Sequence, residues 1–194
     1  VDEHGLQDDS DMDEEVSFSR VISDSKTALW KLAEKPLTPK TTFMNWTSIA
    51  ILLQAEEKKI LLMGDANVNV VTDAILKLQQ LSELFESPLK VDLMKVSHHG
   101  SKANISKRFL GLIDCQNYLF TTNGGSGGAY HPDRQTIAYI WKYSKNQNSR
   151  LNLYFNYPLS TIAQRNVGLL SENEIRLFNI VDSYQDRTLP TISL

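Results

Sequence analysis

Two short apolar runs in this chain end abruptly in residues able to bind a metal. Ile60-Leu61-Leu62-Met63 runs into Gly64-Asp65, and Val91 to Val96 runs into Ser97-His98-His99-Gly100-Ser101. Runs of this length, rich in Val, Ile and Leu, predict buried strands. Upstream, the apolar stretch Ser48 to Gln54, the polar turn Glu56-Glu57-Lys58 and the return run Lys59 to Met63 predict an antiparallel hairpin. Between the two polar strand ends, Val70, Val71, Ala74, Ile75, Leu78, Leu81, Leu84 and Phe85 recur at helical spacing and predict a helix over 69–85. A short helix is expected over 105–113 with Ser106 as its cap, then a strand over 118–122. A glycine loop at 123–128 leads to a helix over 132–143, with Pro132 in its first turn. Strands are expected near 151–155 and 175–181. Ser17 to Lys35 predicts an earlier helix, ended by Pro36 and Pro39. Alternating strands and helices predict an α/β layered domain.

Composition narrows the class. A chain of 194 residues with 41% hydrophobic and 22% charged residues suits one globular domain. No apolar run is long enough for a membrane span, and no leader is visible, so a cytoplasmic protein is expected. The single cysteine, Cys115, excludes an internal disulfide framework and reads as a buried, inert thiol. The net charge of −3 is unevenly spread. Residues 1–24 hold nine acids and one base, leaving 19 bases against 14 acids in the rest. Residues 1–15 are therefore expected to be an acidic flexible segment, and 16–42 a helical linker to the body at 43–194. A mildly basic body suits a polyanion such as nucleic acid, but the excess is too small to identify one.

The candidate chemistry lies at the strand ends. In open α/β sheets the C-terminal ends of strands are where ligands bind. A carboxylate at Asp65 can bridge two divalent cations, or simply form a turn. Adjacent histidines on one strand point to opposite faces, so one of His98 and His99 is expected to face the site. Gly100 permits a sharp turn after them, and Ser101 either contacts a ligand-bearing group or caps that turn. His131, between the glycine loop and Pro132, approaches the same site from a lid or is an exposed loop histidine. Asn45 and Ser48, just before the hairpin, either shape a turn or orient a ligand or substrate oxygen. The glycines at 124, 125, 127 and 128 are not a phosphate loop, since no Gly-Lys-Ser/Thr follows.

The ordered set Asn45-x-x-Ser48-Ile49, Leu61-Leu62-Met63-Gly64-Asp65, Lys95-Val96-Ser97-His98-His99-Gly100-Ser101 and Tyr130-His131-Pro132 resembles the C-terminal half of metallo-β-lactamase-fold hydrolases. Within them it is most similar to the metallo-hydrolase domain of competence DNA-uptake (ComEC-type) proteins and its stand-alone relatives. The resemblance covers about residues 43–142. It implies an αββα sandwich, here as its C-terminal half, with two zinc ions, or manganese, at one edge of the sheets. Asp65 would bridge the metals, and His99, or else His98, would be the late histidine ligand. His131 would act on the substrate side, and Asn45, Ser48 and Ser101 would support ligands or substrate. The implied activity is hydrolysis of a phosphodiester, nucleic acid included, or of an ester, by a metal-activated hydroxide. The family's His-x-His-x-Asp-His motif has no counterpart, since the four histidines are His4, His98, His99 and His131. A missing N-terminal half, or another chain, is expected to supply those ligands. The alternative is a catalytically silent α/β module that scaffolds or regulates a protein partner.

Overall fold

A computed structural model describes residues 20–21, 24–37, 43–81, 85–126, 130–145 and 150–182. The acidic segment 1–15 lies outside these residues, as do Gly127 and Gly128. The central feature is a six-stranded sheet, β2 (Ile51–Ala55), β3 (Lys58–Leu62), β5 (Leu93–Lys95), β7 (Asn117–Phe120), β8 (Leu151–Phe155) and β10 (Phe178–Asp182). Its spatial order is β10-β8-β7-β5-β3-β2, parallel throughout except for the antiparallel β2–β3 hairpin. The hairpin is the one expected from the apolar–polar–apolar pattern, with Ile51 opposite Leu62 and Ala55 opposite Lys58.

The register sorts the sheet's side chains cleanly onto two faces. Leu61, Met94, Tyr118, Phe120, Leu153 and Phe155 share one face and are buried, with Leu52 beside them. They form the core with α1 (Leu29–Glu34), α3 (Val68–Leu81), α4 (Lys107–Leu112) and α5 (Arg134–Tyr143). Helix α3 forms where the apolar spacing predicted a helix, but of the residues in that pattern it buries Val71 and Ile75, with Val68 added, and leaves Val70, Ala74, Leu78 and Leu81 exposed.

Among the described residues the other face is partly open, with Leu93, opposite Ile60, buried on it. It carries Ile51, Leu53, Ile60, Leu62, Leu119, Tyr154 and Val181, of which Ile51, Leu53 and Val181 are 47%, 48% and 39% exposed. Three asparagines cross it as a ladder. Asn152 Nδ2 donates to Asn117 Oδ1 at 2.7 Å, and Asn179 Nδ2 donates to Asn152 Oδ1 at 2.9 Å. Asn117 Nδ2 in turn donates to the Asp92 carbonyl at 2.7 Å, which ties the ladder to the break between β4 and β5.

Several boundaries differ from expectation for identifiable reasons. The single strand expected over 91–96 is two. Asp92 interrupts it by accepting the Lys59 N–H at 2.9 Å while its own N–H donates to the Lys59 carbonyl at 2.8 Å. Val91 thus belongs to β4 (Leu89–Val91), paired with β6 (Ile113–Cys115), while β5 pairs with β3 and β7. Among the described residues the helix expected over 17–35 comprises α1, and Arg20–Val21 form a strand, β1, beside β9 (Asn166–Val167). Nor is α1 a linker, since Leu29, Leu32 and Ala33 are core residues. Helix α5 starts at Arg134, not Pro132. Asp133 is its N-terminal boundary residue, and Pro132 is drawn back against Gly100. Ser106 caps α4 as expected, accepting from Phe109 N at 3.2 Å.

Two helices were not anticipated, α6 (Leu159–Arg165) and α7 (Glu172–Ile175), along with the short α2 (Phe43–Trp46). Arg134 locks α7 and the chain around Thr27 to α5. Its buried guanidinium donates to the Thr27 and Leu169 carbonyls at 2.7 and 2.6 Å and to both Glu174 carboxylate oxygens at 2.8 and 2.9 Å. Cys115 is buried and its thiol is pushed up to about 12 by burial, which makes it the inert thiol expected.

Candidate metal-ligand cluster at the strand ends

Strands β3 and β5 are parallel neighbours, so their C-terminal ends lie side by side at one edge of the sheet. The Gly64-Asp65 turn after β3 and the histidine turn after β5 are bonded directly, His98 N donating to Gly64 O at 2.9 Å. Gly64 has φ +52, and a Cβ there would stand 2.9 Å from the Ile49 carbonyl oxygen and 3.0 Å from Ser48 Oγ. Only glycine lets the chain pass this close to the start of the hairpin. Ser48 Oγ then accepts the Asp65 N–H at 2.9 Å, which fixes the turn that presents the carboxylate. Lys95 Nζ donates to Gly64 O at 3.2 Å. Burial holds the Lys95 ammonium below its ordinary range, against the opposing attraction of Asp65.

The two histidines do not point to opposite faces of a strand, because the strand has already ended. His98 and His99 both adopt left-handed backbone angles, with φ 46 and 54, and Gly100 follows at φ +92. Left-handed angles cost an ordinary residue about 1 kcal/mol or more, and two in succession mark a turn held by its surroundings. The result brings both rings to one edge, with centroids 6.1 Å apart. His131 joins them, its ring 5.3 Å from that of His98. The loop carrying it is tied to the histidine turn. Asp133 N donates to Gly100 O at 3.0 Å, and Lys102 N donates to Asp133 Oδ2 at 2.9 Å. A Cβ on Gly100 would lie 2.6 Å from Pro132 Cβ, so glycine is what allows the two loops to touch.

Each of the three rings turns its Nδ1 toward a protein acceptor. His99 Nδ1 donates to the Thr121 carbonyl at 2.5 Å. His98 Nδ1 lies 3.3 Å from Asn104 Oδ1 and 3.3 Å from Asn45 Nδ2. His131 Nδ1 is buried 3.5 Å from Asp133 Oδ2, an ion-pair distance rather than a hydrogen bond. Burial pushes the Asp133 carboxyl up, but His131 and the Lys102 N–H outweigh it and hold the group below the usual carboxylate range. His99 is oriented as metal-ligating imidazoles are, with one ring nitrogen spent on an acceptor and the other left with its lone pair. The donor chemistry therefore fits a divalent metal. The number of donors falls short. Among the described residues no group of three or more His, Cys, Asp or Glu is arranged to hold a metal ion.

Of the residues singled out from sequence, His98, His99, His131, Asn45 and Ser48 come together here, and Asp65 joins them through its backbone, its N–H bonded to Ser48 and its carbonyl to Asn104. Ser101 plays the turn-capping part of its two expected roles. Its Oγ accepts from Ala103 N at 3.3 Å and starts the short 3-10 turn Lys102–Asn104. Sequence reasoning passed over Asn104, Asp133 and Lys95. Asn104 is buried, and its Nδ2 donates to the Asp65 and Ala66 carbonyls at 3.1 Å each. A lone asparagine before Ile105 gives no sign of this, whereas Asp133 after a proline was legible only as a helix start.

No protein-family model, curated protein or solved structure matches the chain. Among the described residues no helix is long and apolar enough to cross a membrane.

Proposed function

We propose that this chain carries part of the active site of a metal-dependent hydrolase of the metallo-β-lactamase type, and that a second polypeptide unit completes it. The observation that carries the reading is the gathering of the His98, His99 and His131 rings at the C-terminal edge of a parallel sheet, beside the backbone turn that carries Asp65. The partly open sheet face supports the second part. It presents exposed Ile51, Leu53 and Val181, an apolar surface of the kind that lies against another sheet. That covering layer, an N-terminal half or another chain, brings the remaining ligands and makes the fold an αββα sandwich.

In the complete site Asp65, His99 and His98 would hold two divalent ions, zinc by the mixed imidazole and carboxylate donors, with manganese the other candidate. When bound, the metals supply an activated water as nucleophile and polarise the scissile bond. The chain's own residues do the positioning. Ser48 fixes the Asp65 turn, Thr121 sets the His99 proton on Nδ1, and Asp133 holds His131 toward the substrate side. Lys95 adds a cation beside the cluster, which suits an anionic phosphodiester, nucleic acid included, over a neutral ester. The test is hydrolysis of bis(p-nitrophenyl) phosphate and of DNA by the complete protein with zinc or manganese. Asp65→Asn is expected to abolish turnover with the fold intact, and retained activity would remove Asp65 from the mechanism. A catalytically silent scaffold predicts no turnover by either protein.

A further inference from the structure

His98 Nδ1 stands between two amides of opposite demand. Asn45 Nδ2 donates to a bare Nδ1, whereas Asn104 Oδ1 accepts only from a protonated one, and both lie 3.3 Å away. The tautomer of His98 depends on which amide prevails. Asn104 is anchored from behind. Its Nδ2 group spends a hydrogen bond on each of the Asp65 and Ala66 carbonyls, and the residue is buried. Turning the amide over would break both bonds and bury two carbonyl oxygens against its Oδ1. Ser97 Oγ donates to the same Ala66 carbonyl at 3.0 Å, so the anchor is itself held. The Oδ1 of Asn104 thus presents a fixed acceptor to His98.

We propose that Asn104 is a positioning residue that holds the proton of His98 on Nδ1 and thereby leaves Nε2 with its lone pair. One side chain then joins the Asp65 turn to the ring state of His98. In the hydrolase reading, on which the metal half of this inference rests, it prepares the nitrogen a metal needs. The tautomer half stands without any metal.

The test is nitrogen-15 NMR of the His98 ring in the metal-free 194-residue protein, at a pH where the ring is neutral. The wild-type spectrum is expected to show the proton on Nδ1. Asn104→Ala is expected to move it to Nε2, with Asn45 then donating to Nδ1. Asn45→Ala is expected to leave the tautomer unchanged. A wild-type ring protonated on Nε2, or an Asn104→Ala ring still protonated on Nδ1, would overturn the proposal. Should Asn104→Ala fail to fold, the wild-type and Asn45→Ala spectra still decide the question. Zinc titration of the complete protein separates the two readings. A loss of about 10–100-fold in affinity in Asn104→Ala is the expected outcome. No zinc binding by any form, with the tautomers as stated, would sink the hydrolase reading and leave the role of Asn104 standing.

Discussion

Replacing Gly100 by alanine probes the contact on which the cluster depends. Its φ of +92 is one that L residues rarely adopt, and a Cβ would meet Pro132 Cβ at 2.6 Å and the Phe120 ring at 2.9 Å. The backbone term is about 1–2 kcal/mol for an alanine in left-handed space. Overpacking against a buried ring and a proline adds about 1–3 kcal/mol. Together they predict a loss of roughly 2–5 kcal/mol, which in a protein of this size lowers the melting temperature by about 4–20 °C. Neither neighbour is the free end of a flexible side chain, so the cost cannot be relieved by a rotamer change. The matched control is Gly111→Ala. Gly111 lies in α4, and a Cβ there would meet nothing within 4 Å. Alanine at that position is therefore expected to stabilise the protein by about 0.5–1 kcal/mol. Urea and thermal melts followed by circular dichroism read both. A Gly100→Ala protein as stable as wild type would refute the packing of the His131 loop on the histidine turn.

Other expectations follow from the same geometry. Arg134→Met removes a buried guanidinium and strands the Glu174 carboxylate, and is expected to cost about 3–5 kcal/mol in a denaturant melt. Glu174 and Asp133 both titrate below their ordinary ranges. In Glu174 burial raises the group, but the Arg134 and Ser171 bonds outweigh it. Groups depressed in the folded state stabilise it above their unfolded pKa, and that stability is lost as pH falls through the folded values. Melting temperature should therefore drop as pH falls from about 5 toward 2, less steeply in Glu174→Gln. Ser48→Ala removes the acceptor for Asp65 N and is expected to cost about 1 kcal/mol of stability and to lower hydrolysis while the fold survives.

The elements that set the frame were legible because their periodicities are strong. The hairpin, α3 and the strand leading to His98 follow from apolar spacing alone. The break at Asp92 was not, because it depends on a carboxylate reaching across to Lys59 N, a contact between strands. The site was legible residue by residue but not in its arrangement. Asp65 and the histidines carry a recognisable order, yet nothing local announces that His98 and His99 turn left-handed and face one edge. Asn104 was invisible because its three partners, Asp65, Ala66 and His98, come from two different strand ends. Arg134 looked like one basic residue at the start of a helix, and only burial shows it joining three parts of the chain.

The most direct test of the account is metal content per chain in the complete protein, measured by mass spectrometry beside Asp65→Asn. Two zinc or manganese ions per chain, lost on changing Asp65, is the predicted result. A protein that carries no metal in either form, or whose metal is indifferent to Asp65, would contradict it.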